Sequence, residues 1–452
     1  MGVMDLYYRL PPTARNWALQ TYGAWQAYQR FSGKFSVWYE TLMKTQYLDV
    51  EDIKSSQFQF LKDLLDHAYS TVPYYNRLFN QYGIKPDDVT SLDDFSRLPT
   101  LSKEDVVNSF NSLQSSQAGN YQPFLAKSSG STGLRITYLM PRELKSSFST
   151  ANQWRFYSWS GVKLGDRRAT LGARIFATRP PYWAWNRWEN QLLLSSHHLD
   201  IENLRLYVQL IDRFRIDFIQ GHPSAIAILA EYLLMEGKPL RMKGVFTTGE
   251  TVYSDDREII EKAFSCKLLD SYGMGECAAV AQQCGEALDY HEISEACIIE
   301  FDPLGDGSYE IIGTSLLNYA MPFIRYRTGD IALPESNTMC ECGKGLPVKI
   351  SKIYGRIDDK IVLPERTILP VTVRMHMKPL LLPGELYQVI QEDLKTIRVF
   401  LSGPVDSTRA YRIQMEMMKF LSSDLTVLVE HTQGIEKHKN KVRNVISRVA
   451  ER

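Results

Sequence analysis

The first hundred residues alternate amphipathic helical patterns with proline breaks. Phe58, Leu61, Leu64, Leu65 and Ala68 recur at helical spacing and predict a helix over 57–69, interrupted by Val72-Pro73-Tyr74-Tyr75. From about residue 124 to 352 the pattern becomes short apolar runs that end in small or polar residues, with helical runs between them. Arg168-Ala169-Thr170-Leu171-Gly172, Ile216-Asp217-Phe218-Ile219-Gln220 and Gly244-Val245-Phe246-Thr247-Thr248 predict buried strands, and 224–235 a helix with Ser224 as its N-cap. This alternation predicts an α/β sheet whose strand ends carry the chemistry. Cys297-Ile298-Ile299-Glu300-Phe301 and Ser308-Tyr309-Glu310-Ile311-Ile312 flank Gly305-Asp306-Gly307 and predict a hairpin.

After Asp358 the composition shifts. Residues 387–401 read as strand, 408–420 as an amphipathic helix and 425–431 as strand, a small α+β unit. The expected organisation is a large domain over 1–357, mainly helical over 1–110, followed by a C-terminal lid domain over 358–452. The aromatic residues near the start (Trp17, Trp25, Trp38, Tyr39) are expected to anchor the packing of the helical layer; a membrane-facing or partner surface is the other reading.

Composition narrows the class. With 44% hydrophobic and 23% charged residues, the 452-residue chain is an ordinary globular protein of two or three structural units. Lys plus Arg (52) equals Asp plus Glu (52), so no bulk charge calls for nucleic acid or an acidic membrane as the main partner, although a local basic patch is compatible with it. No run approaches the ~20 apolar residues of a transmembrane helix, and the start lacks a signal-peptide pattern. Six cysteines do not make a disulfide framework in a chain this long. The expected location is cytoplasmic. Oligomeric state is not legible.

Five polar segments carry the candidate chemistry. Ser128-Ser129-Gly130-Ser131-Thr132-Gly133 is a hydroxyl-and-glycine loop of the kind that wraps a polyphosphate, with Arg135 as the nearby cation; it is not a Walker P-loop, because no Gly-Lys-Ser/Thr follows at the required spacing. Downstream stand Thr247-Thr248-Gly249-Glu250, Tyr272-Gly273-Met274-Gly275-Glu276, Tyr326-Arg327-Thr328-Gly329-Asp330 and Gly355-Arg356-Ile357-Asp358-Asp359. Glu276, read as following a tight Tyr272-Gly273 turn, is a carboxylate able to hold Mg²⁺ against phosphate, and Asp330 one able to accept from ribose hydroxyls. Each acid alone is more commonly a solvated turn residue. Their order is what carries weight.

The set resembles the acyl-adenylate-forming superfamily, and within it the phenylacetate–CoA ligase-like branch that includes the CapK proteins of capsular polysaccharide loci. His67-Ala68-Tyr69-Ser70-Thr71-Val72-Pro73-Tyr74-Tyr75 is similar to that branch's N-terminal signature, and 321–330 to its most specific internal one. The resemblance implies that residues 128–133 close over the β- and γ-phosphates of ATP. It implies that Thr248, Gly249 and Glu250 line the adenine side, Tyr272 stacks on the base with Gly273 beside it, and Glu276 holds Mg²⁺. Asp330 would bind ribose, Arg356 would reach the ribose or α-phosphate, and Asp358 would be the hinge. His222, in Gly221-His222-Pro223-Ser224, borders the implied acyl pocket as a candidate for the substrate carboxylate, with a backbone-bonded loop histidine as the plain alternative. Lys439-Asn440-Lys441-Val442-Arg443 resembles the family's last motif with Asn in place of Gly. Lys441 is then the catalytic cation, with Lys437 and Lys439 as neighbours in contention and a basic helix face as the bland reading.

Cys284, His291, Cys340 and Cys342 form a Cys₃His set suited to a closed, structural Zn²⁺ site, provided the two pairs meet across the fold. Cys266, Cys277 and Cys297 read as small core residues. The aromatic run 180–188 is expected to be packed, with the floor of a substrate or acceptor site as the other reading. The expected activity is ATP-dependent conversion of a carboxylic acid to acyl-AMP and pyrophosphate, then transfer to CoA or to an amine or hydroxyl. The usual glycine after the hinge is absent from Ile361-Val362-Leu363-Pro364-Glu365-Arg366-Thr367, which keeps a surface-polysaccharide sugar in play as acceptor. A catalytically silent nucleotide-binding protein is the alternative of a different class.

Overall fold

The structure is a computed structural model that describes residues 10–128, 135–172, 179–305, 307–336, 339–357, 360–364, 367–368, 370–382, 385–432, 434–435, 437–438, 441–442 and 444–449. The chain divides into two compact units. The first comprises Met1–Pro303, Ile311–Thr328 and Pro334–Lys352; the second comprises Leu304–Glu310, Gly329–Leu333 and Ile353–Arg452.

Among the described residues the first unit begins with four helices, Pro12–Phe31, Phe35–Thr45, Val50–Thr71 and Pro73–Tyr82. The third buries Ile53, Gln57, Leu61, Leu64, Leu65 and Ala68, one stripe at helical period. It stops at Val72, which the following Pro73 holds extended at φ −112° and ψ 108°. The buried Gln57 amide donates to the Glu292 carboxylate at 2.9 Å and the Cys297 carbonyl at 2.7 Å, which fixes this helix to the sheet.

A hairpin, β1 (Phe124–Lys127) and β2 (Thr137–Met140), precedes the main sheet. The sheet's strands are β3 (Arg168–Gly172), β4 (Trp183–Asn186), β5 (Gln191–Ser195), β6 (Phe218–Gly221), β7 (Val245–Thr248), β8 (Leu268–Gly273), β9 (Val280–Gln283), β10 (Tyr290–Glu292), β11 (Cys297–Pro303), β12 (Tyr309–Ser315), β13 (Tyr326–Pro334) and β14 (Val348–Arg356). Among the described residues their order is β11-β12-β13-β14-β10-β9-β8-β7-β6-β3-β5-β4. β5, β3, β6, β7 and β8 are parallel, and the direction reverses at β9.

Period-two alternation sends side chains from these strands into two cores. Phe218, Phe246 and Leu269 pack on one face with Trp154 and Tyr157 of the helix Ser149–Ser158. Their neighbours Ile219, Val245 and Leu268 pack on the other with the helices Ile201–Arg213, Pro223–Met235 and Ser254–Phe264. Parallel strands covered on both faces make an α/β arrangement, the class expected from the sequence pattern.

The second unit has its own core, including Val389, Val399, Ile413 and Met417. Its strands are β15 (Ile361–Val362), β16 (Thr367–Ile368), β17 (Tyr387–Gln391), β18 (Thr396–Leu401), β19 (Thr426–His431), β20 (Lys437–His438), β21 (Lys441–Val442) and β22 (Val445–Ser447). The four-stranded sheet has order β19-β18-β17-β22, and the helix Ser407–Phe420 links the parallel pair β18 and β19. The expected single strand over 387–401 is two antiparallel strands. The break lies at Asp393, whose carboxylate accepts from the Lys395 amide at 2.7 Å in a side-chain-closed turn.

Two further expectations are corrected. Trp17 and Trp25 are exposed rather than packed, while Trp38 and Tyr39 do pack on the core. In the 180–188 run, Trp183 and Trp185 are partly buried against a core and Trp188 is exposed.

Candidate active site and metal centre

The expected nucleotide residues of the first unit stand where β6, β7 and β8 end, beside the reversal at β9. In open α/β sheets this carboxyl edge is where ligands bind. Thr248 ends β7 and its hydroxyl donates to the Ser271 carbonyl at 2.9 Å. Gly249 follows at φ 83°, in the left-handed region that glycine enters without strain. Tyr272 and Gly273 do not form a turn. They continue β8, because Tyr272 pairs with Ala281 and Gly273 with Val280 across β9.

The loop after β6 is bonded to the loop after β7. The His222 Nδ1 lies 3.1 Å from the Thr248 carbonyl, the backbone-bonded alternative weighed for this histidine. Ser224 Oγ donates to the Glu250 carboxylate at 2.7 Å, and the Ser224 amide donates to the same oxygen at 3.3 Å. Ser224 is not the N-cap. His222 occupies that position and Pro223 the first helical turn, where its missing N–H costs nothing. Glu250 thus places a negative charge at the helix N-terminus, where the exposed amides and the macrodipole favour it. Gly221 allows the loop to start so close to the sheet: a Cβ there would lie 2.2 Å from the Leu171 carbonyl oxygen.

Glu276 is buried, and its charge, after burial itself, helps to push the Tyr138 phenol well above its ordinary range. Behind the strand ends, the buried Asp270 accepts from Thr247 at 2.6 Å and from Tyr290 at 2.8 Å. Burial lifts its carboxyl to about 6, against the opposing pull of those two hydroxyls and of Arg257. No sequence pattern marked Asp270; its position as the third residue of an apolar strand run, followed by Ser271, was the available signal.

Ser128 stands at the start of the segment expected to hold phosphate. Its amide donates to the Ile136 carbonyl at 2.9 Å and its hydroxyl accepts from the Ile136 amide at 3.1 Å. Ser129, Gly130, Ser131, Thr132 and Gly133 lie outside the described residues, as do Asp358 and Lys439. In the second unit, Arg356 and Asp330 form an ion pair at 3.1 Å. The stretch read alternatively as a basic helix face is instead a short hairpin, with Lys437 opposite Val442 and His438 opposite Lys441. The Lys437 and Lys441 side chains lie outside the description.

The four metal-ligand candidates do meet. Antiparallel pairing sets Gln283 against Tyr290 and Gln282 against His291, so Cys284 and His291 fall at one end of the β9–β10 hairpin. β10 pairs in turn with β14, His291 opposite Val348, which brings in the segment carrying Cys340 and Cys342. The four ligand atoms lie within 4.8 Å of one another. Cys284 Sγ is 3.6 Å from Cys340 Sγ, and Cys342 Sγ is 3.5 Å from His291 Nε2. A tetrahedral zinc with ordinary bond lengths has S···S edges of about 3.7 Å and S···N edges of about 3.5 Å. The donor set therefore fits the ion.

The outer contacts fit as well. The His291 Nδ1 is 2.7 Å from the Leu346 carbonyl; donating its proton there turns the Nε2 lone pair toward the thiols. A hydrogen bond from Cys342, and then His291, holds the Cys284 thiol far below the ordinary range. All six cysteines are free thiols. Cys297 is buried, and Cys266 and Cys277 pack partly buried against cores.

No family model matches the chain. CapK of Staphylococcus aureus is 23% identical over 373 residues, spanning 80% of this chain and 81% of CapK. Phenylacetate-coenzyme A ligase of Pseudomonas putida is 27% identical over 387 residues, spanning 80% and 82%. Among solved structures, 2-hydroxyisobutyryl-CoA ligase in the postadenylation state, in complex with R3-HIB-AMP, superposes with a TM-score of 0.63 at 19% identity, covering 89% of this chain and 91% of that one. The same ligase in an open conformation with 2-HIB-AMP and CoA gives 0.52 at 18% identity, covering 89% and 93%. Motif order, relatives and fold agree: the chain is similar to acyl-adenylate-forming ligases, with phenylacetate-coenzyme A ligases and CapK among its relatives.

Proposed function

We propose that this ligase joins a small carboxylic acid to ATP as acyl-AMP with release of pyrophosphate, and then passes the acyl group to CoA. The observation that carries the reading is the bonded set of loops at the carboxyl edge of β6, β7 and β8. There the proposed nucleotide segment (Thr248, Gly249, Glu250) and the proposed acyl segment (His222, Ser224) are tied directly to each other. The phenylacetate ligases among the relatives suggest an arylacetic or similarly small acid.

In this reading residues 128–133 hold the β- and γ-phosphates, and Tyr272 and Gly273 border the adenine. Asp330 accepts from the ribose hydroxyls and Arg356 contacts the ribose or α-phosphate. Glu276 would hold Mg²⁺, which supplies charge neutralisation at the phosphates. Lys441 would steady the charge that develops as carboxylate attacks the α-phosphate, a role in which positioning and electrostatics supply most of the rate. Asp358 would serve as the hinge between 1–357 and the C-terminal lid 358–452. The Cys284, His291, Cys340 and Cys342 set would hold a structural zinc, since four protein ligands leave no open position. A reducing, cytoplasmic setting suits these free thiols.

A second acceptor reading rests on the glycine-free segment 361–367 and on the likeness to CapK: transfer to an amine or to a sugar hydroxyl of a surface polysaccharide. Carboxylate-dependent ATP–pyrophosphate exchange over a panel of acids tests the first half-reaction. Product analysis with CoA, amino sugars and neutral sugars tests the second. Exchange with no acid on a broad panel would overturn the adenylation proposal; exchange without thioester would move the acceptor away from CoA.

A further inference from the structure

The helix Pro12–Phe31 is amphipathic in the reverse sense. Its inward face is mainly polar or small, with Leu19 half-buried and the last residue, Phe31, packed on the core. Arg15 is buried and donates to the Pro180 carbonyl at 3.3 Å, and Arg30 grips the buried Glu189 carboxylate at 2.6 and 2.7 Å. Gly23 presses on β4 so closely that a Cβ would lie 2.6 Å from Asn186 Oδ1. The outward face is aromatic: Trp17 is 75% exposed, Tyr28 69%, Trp25 54% and Tyr22 47%. At about 100° per residue these four fall within one arc of about 140°. A core-facing helix places such rings inward, so burial among the described residues does not account for them.

Charge on this surface is segregated. Between Asp5 and Glu40 the chain has no Asp or Glu, although it carries as many acidic as basic residues overall. Two exposed arginines flank the aromatic face. The Arg187 amide donates to Gln20 at 3.4 Å and its guanidinium stacks 4.7 Å over the exposed Trp188, while Arg142 donates to Gln29 at 3.3 Å. The neighbouring acids are already engaged: Glu189 lies between Arg30 and Arg168, and Glu143 accepts from Lys34 and from the Trp38 indole, each at 2.9 Å.

We infer that this face docks the enzyme peripherally on a phospholipid bilayer with anionic headgroups. Indole and phenol rings partition to the headgroup depth, where an apolar body and a polar tip are both satisfied. The flanking guanidinium groups complement lipid phosphates. Docking here is surface attachment only; no helix among the described residues is long and apolar enough to cross a membrane. The inference is independent of the adenylation chemistry.

Co-sedimentation of the full chain tests it, using phosphatidylcholine vesicles with and without about one-third phosphatidylglycerol. Expected are binding at least ~10-fold stronger to the anionic vesicles, reversal by high salt, and a blue shift of tryptophan emission. Trp17→Ser/Trp25→Ser lowers binding ~10-fold and removes the shift, and Arg142→Glu/Arg187→Glu removes the preference for phosphatidylglycerol. Thermal melts that match the parent show that both variants are folded. No binding by the parent overturns the inference, as does equal binding by both variants. Concentration-dependent self-association abolished by the tryptophan substitutions would assign the face to a second copy of the chain instead.

Discussion

The Glu250 carboxylate, in the loop after β7, accepts a 2.7 Å hydrogen bond from the hydroxyl of Ser224, in the first turn of the helix after β6. Sequence places these residues 26 positions apart, yet this bond helps to join the proposed adenine segment to the proposed acyl segment. Displacing either residue should therefore be felt at both subsites. Ser224→Ala keeps the 3.3 Å amide contact and loses the hydroxyl, at a cost of about 1 kcal/mol. The expected result in pyrophosphate exchange is a rise of roughly 2–5-fold in KM for both ATP and acid, with kcat nearly kept. Unchanged KM values for both would remove this bond from the site.

Lys441→Ala should lower acid-dependent exchange by ~100-fold or more, because a cation aimed at developing charge acts mainly in the transition state. Lys437→Ala and Lys439→Ala should stay within a few-fold of the parent. Single-turnover acyl-AMP formation measures the step itself. A large loss in Lys439→Ala with Lys441→Ala intact would move the role by two positions along the hairpin segment.

Elemental analysis of the purified protein should find about one zinc per chain, matching one Cys₃His set. Cys342→Ser and His291→Ala should each release it and lower Tm by several degrees, since metal binding here is folding energy. Metal well below one equivalent in protein purified without chelator would reject the site.

Asp270 predicts a pH dependence of stability. Its carboxyl is lifted from the ordinary 3.8 to about 6, so the folded state holds this proton more tightly than the unfolded chain. The resulting stability is fully present below 3.8 and is lost as pH rises through about 6. The shift corresponds to a penalty on the order of 3 kcal/mol at neutral pH. Urea midpoints between about pH 4.5 and 7.5 should therefore fall more steeply for the parent than for Asp270→Asn, whose amide does not titrate. Parallel pH profiles for the two proteins would contradict the assignment.

Periodicity and local chemistry made much of the fold legible. The helix that buries Leu61, Leu64 and Leu65, the strands holding Leu171, Ile219 and Phe246, and the hairpin around Gly305 and Gly307 all follow from short-range pattern. Where that reading failed, a tertiary partner decided. Tyr272 and Gly273 have turn-like composition but are drawn into β8 by pairing with Ala281 and Val280. Ser224 looks like a cap, but Pro223 claims the first helical turn and Glu250 takes the serine's hydroxyl.

The chain by itself determined which residue types were present and in what order: the hydroxyl-rich loop from Ser128, the acids Glu276 and Asp330, and three thiols with one imidazole. Only the tertiary structure decided which of them meet. Cys284 and Cys340 are 56 positions apart and come to 3.6 Å because β9 pairs with β10 and β10 with β14, a register that local sequence does not encode. The same holds for the helix Pro12–Phe31. Its spacing announces an amphipathic helix, but a hydrophobic period has no sign. That Trp17 and Trp25 face outward is settled by Gly23 packing on Asn186 and by Arg15 and Arg30 finding their partners inward.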